Sequence, residues 1–442
     1  MRFASTRNRT EQVSLSSALE RGLATDGGLY VPTEWPQLKP TADPEDLPAL
    51  ALQLLRPFAA GDALQDELPA IVREAFDFPA PLTGVAPGTQ ISRESPNVLE
   101  LFHGPTAAFK DFGARFLAAA LARLPSERAL QILVATSGDT GGAVAAAFHR
   151  RERVEVAVLY PQGLVSPTQE RQLTCWDSNV RSFAVRGRFD DCQRLVKQAF
   201  ADTELQGRFR LSSANSINLG RLLPQMVYYW AASLTVQRRF GLAACFAIPS
   251  GNLGNATACV WARRLGAPIG TILLAHNANS TVPDYLRAGV FTPRPSIATL
   301  SSAMDVGNPS NLERLNALYP DAVALGSALL AVSVDDEATR ARIQADFAAH
   351  GRIWCPHSAV AAEGYARARA AAAAGVAASG DAALTPGAWT VVATAHPAKF
   401  REIIEPLIGE PVPMPATLAR LYERPVRCER IDATLQALKH SL

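Results

Sequence analysis

The stretch LELFHGPTAAFKDFG, residues 99–113, sets one lysine, Lys110, between an apolar run and the opening of a helix. The run Val98-Leu99-Glu100-Leu101-Phe102 is rich in strand formers and stops at Gly104-Pro105, a turn signal. A buried strand should therefore end here, with residues 103–106 forming a bend. From Asp111 onward Phe112, Phe116, Leu117 and Ala120 recur at three- and four-residue spacing, which predicts an amphipathic helix burying one face. An ammonium flanked by Phe109 and Phe112 is partly desolvated, and desolvation lowers its pKa and makes the amine a usable nucleophile toward a carbonyl. On these residues alone the alternative is a lysine that snorkels from a helix N-terminus.

Downstream the pattern turns to α/β. Residues 131–135 (QILVA) read as a continuous apolar strand, followed by the glycine-rich loop Thr136-Ser137-Gly138-Asp139-Thr140-Gly141-Gly142 and a small-residue helix over 143–148. Strand, glycine loop and helix in that order aim backbone N–H groups at an anion, although such a loop also serves as a plain tight turn. A second unit follows at 246–257: strand residues, then Pro249-Ser250-Gly251-Asn252-Leu253-Gly254-Asn255 and a helix opening on small residues. It lacks the lysine of GxxxxGK[ST], which argues against a nucleoside-triphosphate site. Further strands are expected over 154–160, 181–185, 271–275 and 389–393, and a helix is expected to open at Ser166-Pro167-Thr168. Strands alternating with helices imply parallel sheets with right-handed crossovers. The last strand delivers Thr394-Ala395-His396-Pro397-Ala398-Lys399-Phe400 to a strand end, where ligands gather in open parallel sheets.

Between the glycine loops lies Ser213-Ala214-Asn215-Ser216-Ile217-Asn218-Leu219-Gly220-Arg221, amides and hydroxyls with one arginine before an apolar helix. These groups suit a phosphate or carboxylate, or else cap the helix with the arginine facing solvent. His357, after Cys355-Pro356, reads as a structural residue near a helix start. Residues 1–95 carry few catalytic residue types: a helix is expected after Ser14, a short strand over 29–31, and helical patterns over 47–59 and 67–76. The alanine-rich stretch 366–386 reads as a helix and a surface loop.

At 442 residues the chain is too long for one core and should divide into two or three lobes. With 48% hydrophobic and 19% charged residues it is an ordinary globular composition, and 43 basic against 41 acidic residues give no bulk charge that would imply nucleic acid or an anionic membrane. Six cysteines at 175, 192, 245, 259, 355 and 428 lack CxxC spacing, so they read as reduced thiols with no metal site expected. The N-terminus has no apolar signal region, and a cytoplasmic location is expected. Arg2, Arg7 and Arg9 precede the first acidic residue, Glu11, which leaves a short organelle-targeting arm as the alternative.

Taken together, HGPTAAFKDFG, TSGDTGGA, SANSINLGR, PSGNLGNATA, SAMDVGNPSN and TAHPAKF occur in the order and spacing seen in threonine synthases, and DGGLYVP (residues 26–32) resembles the N-terminal lobe of the longer, enterobacterial and fungal type. The resemblance implies an α/β protein of PLP fold type II, with two parallel-sheet lobes and a family-specific N-terminal domain. It divides the chain into 1–95, a large PLP-binding domain from 96–125 and 216–442, and a small domain over 126–215. By the same resemblance Lys110 carries pyridoxal 5′-phosphate (PLP), and Gly251, Asn252, Leu253, Gly254 and Asn255 cradle its phosphate. Leu253 stands where many relatives have phenylalanine. Thr394 meets the pyridine nitrogen, and Ser137, Asp139 and Thr140 face the substrate carboxylate or the cofactor O3′ region, while Asn215, Ser216 and Arg221 hold the substrate phosphate. The implied reaction is O-phospho-L-homoserine plus water giving L-threonine and phosphate, by γ-elimination and β-hydration. Alternatives are a threonine-synthase-like phospho-lyase releasing 2-oxobutyrate, ammonia and phosphate, or a non-catalytic metabolite-binding protein that keeps the fold. The only partner expected is the small-molecule substrate, with the chain a monomer or homodimer.

Overall fold

A computed structural model describes residues 1–125, 129–374 and 387–442. The part of the expected loop that falls on 375–386 lies outside the described residues. Among the described residues there are three sheets. A small antiparallel one joins Gln12–Val13, Phe3–Ser5 and Tyr30–Pro32 near the N-terminus.

A six-stranded sheet runs Leu330–Ser333, Ile269–His276, Ala244–Pro249, Ala388–Ala393, Asn97–Glu100 and Leu82–Gly84, parallel except for the last strand. A five-stranded, wholly parallel sheet runs Glu429–Asp432, Val180–Arg186, Val154–Pro161, Leu130–Ala135 and Arg210–Ser213. Parallel sheets are covered on both faces, and the sequence shows it: along Leu130–Ala135, Ile132 and Val134 join the main core while Leu133 and Ala135 join a second cluster on the other face.

Two expectations are corrected. The first is that 216–442 belongs to the large lobe: Glu429–Asp432 instead hydrogen-bonds along Val180–Arg186 and extends the small-lobe sheet. Likewise Leu82–Gly84, from within 1–95, adds to the six-stranded sheet. In both cases a short strand satisfies its backbone on the nearest free sheet edge rather than on its sequence neighbours.

The second concerns the helix after the quoted stretch, Lys110–Ala122, which is buried nearly all round rather than on one face. It packs against Leu68–Ala75, Asp139–Phe148 and Leu219–Leu222, so small alanines on its remaining faces meet protein instead of water. The strand before it is also shorter than the apolar run, covering Asn97–Glu100 only. Residues 101–106 turn away, Leu101 N donating to Ala393 O, and bring Lys110 beside the end of Ala388–Ala393.

Candidate active site

One cavity of about 890 Å³ lies between the two parallel sheets, and every residue that the sequence offered for a site lines it. Lys110 enters from the first turn of Lys110–Ala122, and Ser137, Asp139 and Thr140 from the loop after Leu130–Ala135. Asn215, Ser216 and Arg221 come from the segment after Arg210–Ser213. Gly251, Asn252, Leu253, Gly254 and Asn255 follow Ala244–Pro249, and Thr394 follows Ala388–Ala393. All but Lys110 come from the carboxyl ends of parallel strands, where the sheet topology opens a crevice.

The Lys110 ammonium lies over the Phe109 ring, 5.6 Å from its centroid. Phe112 is not part of this contact, because its ring turns into the core, 4.5 Å from Phe78 and 5.3 Å from Tyr228. Burial pushes the Lys110 amine below its ordinary pKa, opposed by Asp139 and reinforced by the charges of Lys399 and Arg221. Asp139 Oδ2 stands 3.7 Å from Lys110 Nζ, and its other oxygen accepts from Lys399 Nζ at 2.7 Å and Gln169 Nε2 at 3.0 Å. Burial alone would raise the Asp139 carboxyl, but the two ammonium groups outweigh it and hold it far below the usual carboxylate range.

Each glycine loop is built for close approach. Gly138 sits at φ +135°, a region closed to side-chain-bearing residues, and a Cβ there would lie 2.5 Å from Gln169 Cδ. Thr136 Oγ1 accepts from both Gly138 N and Gly141 N at 2.9 Å, which fixes the turn. In the second loop Leu253 takes the left-handed conformation, φ 62°, immediately before the helix Gly254–Arg264. A helix start leaves its first N–H groups without an intrahelical partner, which suits a phosphate. A Cβ on Gly251 would come within 2.7 Å of Met304 Cα, so the backbone there is pressed against the loop over 302–311.

The amides do two jobs. Asn252 Nδ2 donates to Ser216 Oγ at 2.6 Å, and its Oδ1 accepts from Ser310 N at 2.6 Å, so it ties three segments of the cavity wall together. Asn255 Oδ1 accepts from Tyr228 and Tyr229 hydroxyls at 2.5 and 2.9 Å. Its Nδ2 is a buried donor with no protein partner, as are Arg221 Nε and, as acceptor, Asn215 Oδ1. Buried polar atoms are normally paired, so these atoms at the cavity wall match a ligand with its own donors and acceptors. Arg221 is 2% exposed; its Nη1 donates to Ala214 O at 2.6 Å and its Nη2 to Lys110 O at 3.4 Å. It therefore braces the backbone of Lys110 as well as facing the cavity.

Sequence reading passed over Lys399, Gln169 and the role of His357. Lys399 lies in the TAHPAKF stretch between Ala398 and Phe400, and a lysine with apolar neighbours on both sides was the available signal. His357 lines the cavity, accepts from Ala303 N at 3.1 Å, and is pushed down to about 4 by burial.

Comparison with known proteins agrees with this geometry along the whole chain. A family described as "Pyridoxal-phosphate dependent enzyme" matches residues 98–380, "Threonine synthase N terminus" matches 2–76, and "Threonine synthase, C-terminal" matches 372–441. Threonine synthase of Haemophilus influenzae is 39% identical over 435 residues, spanning 97% of this chain and 96% of the relative. That of Escherichia coli is 38% identical over 444 residues, spanning 99% and 98%. The crystal structure of the Escherichia coli threonine synthase superposes with a TM-score of 0.86 at 37% identity, covering 100% of this chain and 99% of that one. A PLP-bound threonine synthase from Brucella melitensis gives 0.87 at 33% identity, covering 100% and 98%. A fold of type II, a lysine over an aromatic ring, two glycine loops and relatives matched end to end lead to one conclusion: the chain belongs to the threonine synthases, enzymes that depend on pyridoxal phosphate.

Proposed function

We propose that the chain, as a threonine synthase, takes O-phospho-L-homoserine and water to L-threonine and phosphate, with Lys110 as the residue that carries PLP. The observation that carries this reading is the meeting of Lys110, Asp139 and two glycine loops in one cavity. PLP, when bound, supplies an electron sink for carbanions formed next to the amino group of the substrate. Lys110 Nζ, its basicity lowered by burial, moves protons at Cα, Cβ and Cγ of the substrate. Gly251, Asn252, Leu253, Gly254 and Asn255 are assigned to the cofactor phosphate, supported by the helix start at Gly254 and the unpartnered Asn255 Nδ2. Thr394, at a strand end, is assigned to the ring nitrogen; its hydroxyl carries no charge that would hold a proton there.

Ser137, Asp139 and Thr140 are assigned to the substrate carboxylate side, and Asn215, Ser216 and Arg221 to the substrate phosphate, supported by the unpartnered donor Arg221 Nε. We assign the chain to the cytoplasm, which its buried thiols at 175, 192, 259 and 355, none of them in a disulfide, support. Size-exclusion chromatography decides between monomer and homodimer. The test of function is phosphate release from O-phospho-L-homoserine by the PLP-loaded chain, with identification of the organic product. Threonine in equal amount to phosphate is the expected result; 2-oxobutyrate and ammonia in its place would make the chain a phospho-lyase.

A further inference from the structure

Asp139 opens the helix Asp139–Phe148 beside the five-stranded sheet, and Lys399 lies on the turn Pro397–Phe400 that follows the six-stranded one. The Lys399 side chain has 0% exposure, and its ammonium reaches Asp139 Oδ1 at 2.7 Å and Thr106 O at 3.1 Å. Gln169 Nε2 donates to the same carboxylate oxygen at 3.0 Å. Oδ1 is thus occupied twice, while Oδ2 faces Lys110 Nζ at 3.7 Å, longer than a good charge-assisted hydrogen bond. Two ammonium groups share one buried carboxylate, and the one that does no chemistry holds it more tightly.

We propose that Lys399 is a positioning residue for Lys110: by claiming Oδ1 it anchors the Asp139 carboxylate and keeps it from closing onto Lys110, so the Lys110 amine stays free to react. This rests on the reading of Lys110 as the PLP-carrying residue. Without Lys399, Lys110 is the nearest cation to a buried carboxylate, and the two would pair. A lysine so paired keeps its proton to higher pH. The other charged or titratable groups acting on the pair are Arg221 from Leu219–Leu222, His357 from Pro356–Ala373 and the Cys355 thiol just before that helix. Asp111, on the same helix as Lys110, accepts from Thr106 and acts on Lys399 and Arg221. None of these reaches Asp139 Oδ1 as Lys399 does.

The full chain is mixed with PLP, quenched at intervals with borohydride, and the modified fraction of Lys110 is counted by peptide mass spectrometry across pH 6.5 to 9.5. Lys399→Met is expected to slow attachment about tenfold at neutral pH and to move the pH profile up by about one unit. Because Lys399 acts through Asp139, the same substitution in an Asp139→Asn background should change the rate by less than about threefold. That comparison stands even if Lys399→Met alone does not fold, since the double variant removes the buried Asp139–Lys399 pair as a unit. A folded Lys399→Met with the wild-type rate and profile overturns the proposal, as does a tenfold loss that persists in the Asp139→Asn background. Wild-type chain that gains no label at Lys110 overturns the PLP-lysine reading and this inference with it, whereas a labelled wild type confines any failure to Lys399.

Discussion

Arg221 belongs to both the cavity and the scaffold, because it lines the cavity while two of its nitrogens hold the carbonyls of Ala214 and Lys110. On the proposed assignment its removal takes a charged donor from the substrate phosphate, and it leaves the buried Ala214 carbonyl without its Arg221 partner. Arg221→Ala is expected to lower kcat/KM for O-phospho-L-homoserine by an amount equivalent to about 2 to 5 kcal/mol, and stability by about 1 to 3 kcal/mol. Steady-state kinetics and urea denaturation measure the two; an unchanged kcat/KM would reduce Arg221 to a brace. The buried histidines make a second residue-scale prediction. His276 and His357 are pushed by burial from 6.5 to about 3 and about 4. In the unfolded chain each ring takes up a proton below about 6.5, but the native ring refuses it until far lower pH, so stability is lost as pH falls through that window. At pH 5 each contributes a loss of roughly 2 kcal/mol relative to pH 7. His357→Gln keeps an acceptor for Ala303 N and titrates no proton, so its stability should fall by that much less between pH 7 and pH 5. Parallel denaturation curves at the two pH values check this, and equal losses in both proteins would refute it.

At the scale of elements, the glycine loops and the strands that feed them were legible because their signals are local: an apolar run, a glycine cluster and small residues opening a helix fall within a dozen positions. The expected strand over 131–135 and the loop after it appear as Leu130–Ala135 and the turn into Asp139–Phe148. The Ser166 helix start also appears, with a full capping box to Gln169. What the sequence hid was pairing across distance. Gln169 sits in the first turn of its helix, yet its amide reaches Asp139, thirty positions earlier; Lys399 meets the same carboxylate from 260 positions later. Periodicity reports that a position is buried, not what it is buried against. The burial of Lys110–Ala122 on nearly every face was missed for the same reason, since alanine fits a packed face and a solvent face equally well. Gly138 links the two kinds of information. Its φ of +135° and the 2.5 Å approach of Gln169 Cδ leave no room for a methyl group. Gly138→Ala should therefore strain the loop by about 1 to 3 kcal/mol and push Gln169 away from Asp139. The expected result is a lower melting temperature together with a reduced kcat, and a variant that keeps both would show that the loop relaxes around the methyl.

For the whole molecule, the order of the chain and the order of the lobes diverge, and the site depends on that divergence. The N-terminal segment is pinned to the cavity wall by Arg314, fully buried, which donates to Tyr30 O at 3.0 Å and to Ile217 O at 2.7 Å. The C-terminal segment crosses back to the small lobe, where Arg427 N donates to Thr174 O and Glu429–Asp432 pairs with Val180–Arg186. Ile431 and Leu438 then complete the apolar cluster formed by Leu133, Leu159, Phe183 and Leu195. That cluster supports the helix Phe189–Ala201, whose Phe189, Val196 and Phe200 line the cavity mouth. The last strand therefore bears on the site without touching the chemistry. Ile431→Asp puts a carboxylate among apolar side chains at a position now 5% exposed, a change expected to lower stability by about 2 to 4 kcal/mol. Because its effects pass through the small lobe, amide exchange should quicken along Val180–Arg186 and Phe189–Ala201 and stay unchanged along Ala244–Pro249. KM for O-phospho-L-homoserine should rise while attachment of PLP to Lys110 proceeds at the wild-type rate. Exchange that quickens equally in both sheets would mean that the two lobes unfold as one unit, and that the C-terminal strand stabilises the molecule without acting selectively on the cavity mouth.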